Sequence, residues 1–254
     1  MNGKVYLVGA GPGAPDLLTL RAARLLAAAE VVFHDALVHP DVVALATHAT
    51  KISVGKRCGR HSTAQRFINK RLVDAARTHA TVVRLKGGDP MLFGRAQEEI
   101  DALTAAGITV EVVPGVSAAF AAAAELQTSL TQRGSARSVA LVTPRVGEGQ
   151  RPGQWLEPLL ACDAGAIYMG VGEAAMIAEA LLAAGKHPDT PVAIVESASL
   201  PEARVRHATV ATLPEIVDVR SSAPAIILIG PQFAAHASVA AADEVGAALR
   251  EANG

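Results

Sequence analysis

Short apolar runs alternate with stretches of helical period through the first 113 residues. The runs Lys4–Val8, Glu30–Phe33, Lys51–Val54, Thr81–Leu85 and Thr109–Val113 are Val-rich and largely apolar on both faces. That pattern predicts strands of a parallel sheet covered on each side. Helical spacing fills the gaps, at Pro15–Ala29, Asp41–Ala46, Thr63–His79 and Ala96–Ala106. Strand–helix–strand alternation of this kind implies right-handed crossovers and an α/β layer fold. The pattern then restarts. Ser138–Thr143, Ala166–Met169, Pro191–Glu196 and Ala225–Ile229 read as strands, and Gly115–Leu126, Glu173–Ala184 and Ala234–Ala252 as helices. Pro114-Gly115 is a turn dipeptide directly after a strand, so the expected division is 1–114 and 115–254, each an α/β domain. Val146–Gly153 is the loosest stretch and is expected to be a mobile loop.

Composition narrows the class. Half of the 254 residues are hydrophobic while only 3% are aromatic, which supplies a core and excludes disorder. No run of about 18 uncharged apolar residues occurs, so no membrane span is expected. The chain opens at once on a strand-like run, which leaves no room for a signal peptide. Cys58 and Cys162 match no metal-ligand spacing and read as two reduced cytosolic thiols. No metal is expected.

Charge adds an asymmetry that the net value of −1 conceals. Residues 51–95 carry +9 and the remainder −10. The small net charge argues against a nucleic-acid binder, but a basic block inside a folded domain can gather an anionic ligand. Arg66, Lys70, Arg71 and Arg77 fall at helical spacing and read as a solvated face. Lys56, Arg57, Arg60, Lys86 and Arg95 sit in Gly-rich, loop-like contexts, where ligand contact is the competing reading.

Gly9-Ala10-Gly11-Pro12-Gly13-Ala14 follows the first strand and precedes a helix, nearly a dinucleotide fingerprint. Pro12 counts against that reading, because it removes a backbone N–H from the loop that would cradle a pyrophosphate. Lys86-Gly87-Gly88-Asp89-Pro90, with Phe93-Gly94-Arg95 behind it, follows the strand Thr81–Leu85 at the carboxyl end, where open α/β sheets bind ligands. Asp89 reads either as a hydrogen-bond acceptor for a ligand or as the structural aspartate of an Asp-Pro turn. Asp35 and Lys56 follow two further strands, so an acid and a base can face one cleft.

These residues, with VGAGPGAPDLLTLRA (Val8–Ala22), HDALV (His34–Val38), VGKRCGRHS (Val54–Ser62), VVRLKGGDPMLFGRAQEE (Val82–Glu99), VVPGVSAA (Val112–Ala119), LTQRG (Leu130–Gly134) and YMG (Tyr168–Gly170), resemble the S-adenosylmethionine-dependent tetrapyrrole methylases. Within that family the chain is most similar to the branch that methylates uroporphyrinogen III. The resemblance covers nearly the whole chain.

It implies two α/β domains with S-adenosylmethionine in the cleft between them, in a homodimer; the expected location, from the reduced thiols, is cytoplasmic. It implies that Pro12, Gly87, Gly88, Asp89, Leu92, Ser117, Ala118, Met169 and Ala198 line the cofactor site. It implies Asp35 as proton acceptor and Lys56 as proton donor, with Arg95, Glu98 and Arg133 near an anionic tetrapyrrole. The implied reaction adds methyls at C2 and C7 of uroporphyrinogen III to give precorrin-2, for siroheme or cobalamin synthesis. A pyrrole carbon can attack a sulfonium methyl directly, so orientation is the main catalytic requirement. The substrate's ring of carboxylates matches the basic block.

The chain departs from the family pattern at Ala96-Gln97, Gln132, Thr143-Pro144-Arg145 and His34. Three other readings stand beside the leading one: a related methylase acting at another corrinoid carbon, a non-catalytic tetrapyrrole or cofactor binder, and a nicotinamide-dependent dehydrogenase.

Overall fold

The computed structural model describes residues 2–54, 61–146, 153–217, 221 and 223–235. Five strands form a wholly parallel sheet: β1 (Lys4–Gly9), β2 (Val31–His34), β3 (Thr50–Ser53), β4 (Thr81–Lys86) and β5 (Thr109–Val113). Their order is β3-β2-β4-β1-β5. Side chains alternate across the sheet, as the two-residue pleat requires. Val5, Leu7, Val31, Phe33 and Val82 face one cluster with α3 (His61–Ala76) and α4 (Ala96–Ala105). Val8, Val32, Val83 and Leu85 face the other, under α1 (Leu20–Ala28) and α2 (Pro40–Ala44). Helices therefore cover both faces, as the apolar runs predict.

The helix expected over Pro15–Ala29 is broken. Pro15–Leu17 forms one 3-10 turn, and α1 starts afresh after Thr19, whose Oγ1 accepts from Ala22 N at 3.1 Å. A threonine cap is a stronger start signal than the proline upstream.

The second sheet has the order β6-β7-β10-β8-β9, built from β6 (Val139–Val142), β7 (Ala164–Tyr168), β8 (Pro191–Glu196), β9 (Arg204–Thr209) and β10 (Ala225–Ile229). Only β6 and β7 run parallel; every other pairing is antiparallel. Ile227 and Ile229 face one core with α7 (Ala174–Ala183), α6 (Leu156–Ala161) and α8 (Leu213–Ile216). Ile226 and Leu228 face the other, where α5 (Ala118–Glu125) packs through Ala119, Ala121 and Ala122. Short alanines let this helix lie close to the sheet. Residues 147–152, within the expected mobile loop, and residues 236–252 of the expected C-terminal helix lie outside the described residues.

Candidate active site

All five strands of the first sheet end on one edge, and their loops converge there. The turn after β1 and the loop after β4 pair with each other: Gly88 N donates to Gly11 O at 2.8 Å, and Gly11 N to Gly88 O at 3.2 Å. Glycine is required by contact. A Cβ on Gly115 would stand 2.4 Å from Gly88 O and 2.8 Å from Gly9 Cα. Gly88 has φ +66°, a left-handed conformation that favours glycine. Asp89 binds this arrangement together, its Oδ1 accepting from Met91 N at 2.8 Å and its Oδ2 from Gly115 N at 3.0 Å. These contacts give Asp89 its structural role and fix where its carboxylate stands in the loop. Gly87 remains exposed, and the nearest atom to a Cβ there is Leu37 Cβ at 3.6 Å.

The second sheet meets this edge through the ends of β7 and β8. Ala14 N donates to Ser199 Oγ at 3.1 Å, and Ser199 N to Glu125 Oε1 at 2.7 Å. Tyr168 Oη lies 2.7 Å from Ser117 Oγ and accepts from Ala119 N at 3.3 Å. Its ring packs on Phe93, centroids 5.1 Å apart. Five non-glycine residues with positive φ gather in these loops: Phe93, Arg95, Met169, Ser197 and Ser199. Such conformations cost about 1–3 kcal/mol each and concentrate at functional sites. Met169 is 43% exposed, so it is not core filling.

Beneath the β4 loop lies a buried charge cluster. Val82, Arg84 and Lys86 share one face of β4, and Val31, Phe33 and Asp35 continue that face across β2, with Phe33 in register with Arg84. Glu99 of α4 is fully buried. Its Oε1 accepts from Arg84 Nε at 3.0 Å, Lys86 Nζ at 3.1 Å and Gln65 Nε2 at 3.2 Å. Arg84 Nη2 reaches Asp35 Oδ1 at 2.5 Å, and its Nη1 donates to Leu85 O. Burial opposes the Arg84 charge, but Asp35 and Glu99 outweigh it and hold the guanidinium above its ordinary pKa. Burial, then the neighbouring Arg84, pushes the Lys86 ammonium below its ordinary 10.5 despite Glu99.

Pro12 lies in the turn after β1, Gly87, Gly88, Asp89 and Leu92 in the loop after β4, Ser117 and Ala118 at the start of α5, Met169 directly after β7 and Ala198 after β8. Asp35 is 30% exposed in its side chain and lines a cavity of about 470 Å³ with His34, Lys51 and Ser53. Lys56 lies outside the described residues. Arg95 is held by Glu98 in a two-pronged pair, Nε and Nη2 each at 2.7 Å, which keeps the Glu98 carboxyl below its ordinary 4.5. Arg133 sits in the exposed turn Gln132–Ala136 and makes no hydrogen bond or ion pair among the described residues.

A larger cavity of about 510 Å³, lined by Phe120, Leu130 and Leu141, lies between α5 and β6. Among the described residues no group of three or more His, Cys, Asp or Glu is placed to hold a metal ion. No described helix is long and apolar enough to cross a membrane. Sequence reasoning missed Arg84 as the partner of Asp35, Glu99 as the partner of Arg84 and Lys86, and Tyr168 beside Met169. The available signal was two cations at two-residue spacing in a strand otherwise apolar on both faces.

The model of the tetrapyrrole (corrin/porphyrin) methylases matches residues 4–214. "Siroheme synthase 3" of Aeromonas hydrophila is 45% identical over 232 residues, which are 90% of this chain and 49% of that protein. The chain thus spans about half the length of the curated relatives it matches. The uroporphyrin-III C-methyltransferase of Thermus thermophilus, solved with S-adenosylhomocysteine, is 44% identical with a TM-score of 0.78. The match covers 90% of this chain and 97% of that one. A cobalt precorrin-4 methyltransferase is 30% identical at the same TM-score, covering 91% and 96%.

Proposed function

The chain belongs to the tetrapyrrole methylases, and from that premise we propose that it is an S-adenosylmethionine-dependent uroporphyrinogen-III C-methyltransferase. It methylates C2 and C7 to give precorrin-2, in siroheme or cobalamin synthesis. The observation that carries this is the 44% identity over 97% of the Thermus enzyme, a protein solved with the demethylated cofactor. The division at 114/115, read from the Pro114-Gly115 turn, the cytoplasmic location, read from the two cysteines, and the homodimer, implied by the family resemblance, belong to the same proposal.

The residues fit the cofactor. Gly87 offers open backbone, Gly88 and Met169 hold left-handed conformations, and Met169 is exposed. Pro12, Gly87, Gly88, Asp89, Leu92, Ser117, Ala118, Met169 and Ala198 would hold it. S-adenosylmethionine, when bound, supplies an electrophilic methyl and leaves as S-adenosylhomocysteine. The protein's task is to set a pyrrole carbon in line with that methyl and exclude competing poses. Asp35 takes up the proton that the methylated ring releases, and Lys56 returns one where the macrocycle needs it. Arg95, Glu98 and Arg133 form the polar rim for the substrate's acetate and propionate groups.

Arg133 is the rim cation with no internal partner among the described residues, so its loss should read as lost substrate binding. A charge-assisted contact contributes roughly 1.5–3 kcal/mol. Arg133→Ala should therefore raise KM for the tetrapyrrole about tenfold or more, with S-adenosylhomocysteine affinity and Tm unchanged. A lowered Tm with normal KM would assign it a structural role instead.

Anaerobic turnover of uroporphyrinogen III with labelled S-adenosylmethionine tests the whole reading. Two labels per macrocycle are expected. Label transferred only to a later corrinoid would favour the related methylase, and binding without transfer would favour a non-catalytic binder. Binding of NAD in place of S-adenosylhomocysteine would return the dehydrogenase.

A further inference from the structure

The charge cluster under β4 is larger than the fold requires. Replacing a buried ion network by apolar side chains of similar volume is often neutral or stabilising, so burial of ions is weak evidence for a purely structural purpose. Here two cations and one carboxylate are almost completely enclosed, and the fourth charge, Asp35, stands at the open end. Asp35, Arg84, Glu99 and Lys86 sum to zero charge, so the cluster is balanced only when all four are present.

Its geometry has a direction. The Arg84 guanidinium uses every nitrogen: Nε on Glu99, Nη1 on the Leu85 carbonyl, Nη2 on Asp35. A planar fork anchored on two sides fixes where its third arm points. Glu99 is anchored in turn by Lys86, through both carboxylate oxygens at 3.1 and 3.2 Å, and by Gln65 of α3. Gln65 is itself steadied by Asn69 at 3.0 Å. The position of the Asp35 Oδ1 is thus transmitted from the interface of α3 and α4, through a carboxylate with no solvent exposure. The other oxygen of Asp35 makes no hydrogen bond among the described residues, on a side chain that borders the cavity with His34 and Lys51.

We propose that Glu99 is a positioning residue for Asp35, acting through Arg84. The proposal rests on the reading of Asp35 as the proton acceptor. Glu99 touches no substrate; it fixes the guanidinium that aims the carboxylate. A merely structural role would lower stability and leave the chemistry of the folded fraction intact.

The test is a double-mutant cycle on the full chain, with kcat, KM for uroporphyrinogen III and Kd for S-adenosylhomocysteine measured for each variant. Glu99→Gln keeps the side-chain shape and an oxygen for Arg84 but removes the charge. Its kcat should fall about 100-fold, the scale of a misaligned reacting group, while Kd for S-adenosylhomocysteine holds. In an Asp35→Asn background the same change should cost nothing further. Equal losses in both backgrounds would overturn the role of Glu99 and leave the Asp35 reading standing. Full turnover by Asp35→Asn alone would overturn that reading and the inference with it. Should Glu99→Gln fail to fold, Arg84→Lys enters the same cycle with the same outcomes, because it keeps the charge and loses the fork.

Discussion

Asp35→Asn should lower kcat by roughly 10²–10⁴-fold, the range that positioned acid–base groups supply. The fold should survive. Asparagine has nearly the same shape, its Oδ1 can still accept from Arg84, and Arg84 keeps Glu99 and the Leu85 carbonyl as partners. Affinity for S-adenosylhomocysteine should hold as well, because the Gly87–Leu92 loop is tied by Asp89 and Gly115 rather than by Asp35. The assay is steady-state methyl transfer beside cofactor titration and thermal melting. A folded variant with normal turnover would reduce Asp35 to a partner of Arg84.

Glu99→Ala should be strongly destabilising. It strips two enclosed cations of their common partner, and breaking a buried pair in this way costs about 3–5 kcal/mol. For a chain of this size that corresponds to a fall in Tm of roughly 6–20 °C. The pH dependence carries the sign. Burial and Arg84 hold the folded-state pKa of Lys86 below its unfolded value of 10.5. Over the window beneath 10.5 the unfolded chain therefore binds more protons than the folded one, so this group's contribution to stability rises with pH. Without Glu99 the depression deepens and the window widens. The gap in Tm between variant and parent should be largest at neutral pH and narrow as pH approaches about 10. A gap independent of pH would mean that Lys86 escapes to solvent in the variant.

The strands most legible in the sequence are the apolar, Val- and Ile-rich ones. Pro191–Glu196 and Ala225–Ile229, buried on both faces, and the Val-rich edge strand Thr109–Val113 are observed with the expected bounds. β9 escaped because it is an edge strand, and Arg204-Val205-Arg206-His207 reads as polar with Val205 itself 39% exposed. α6 and α8 escaped because they are short and carry prolines, Pro158 and Pro214, that ordinarily punctuate a helix. In the site, glycine spacing told more than charge did. The loops of Gly9–Gly13 and Gly87–Gly88 were legible because close backbone approach at Gly9 and left-handed backbone at Gly11 and Gly88 favour glycine. The +9 block read as a ligand surface, yet Arg84 and Lys86 spend their charge on Glu99, and Lys70 on Asp74. Partners that come from another helix, 13 or 15 residues further on, leave no local trace.

The placement of β1 has a consequence for synthesis. This first strand is central: its neighbours on either side are β4 and β5, with Lys4 in register with Thr81 and with Thr109. Ribosomes add about 5–20 residues per second, so on that scale the strand waits several seconds for its first neighbour and longer for its second. Until then Val5, Leu7 and Val8, all fully enclosed in the finished sheet, have nothing to pair with. Nascent chains stalled between β3 and β5 should therefore recruit chaperones that grip extended apolar segments, and the first sheet closes only after its last strand has emerged.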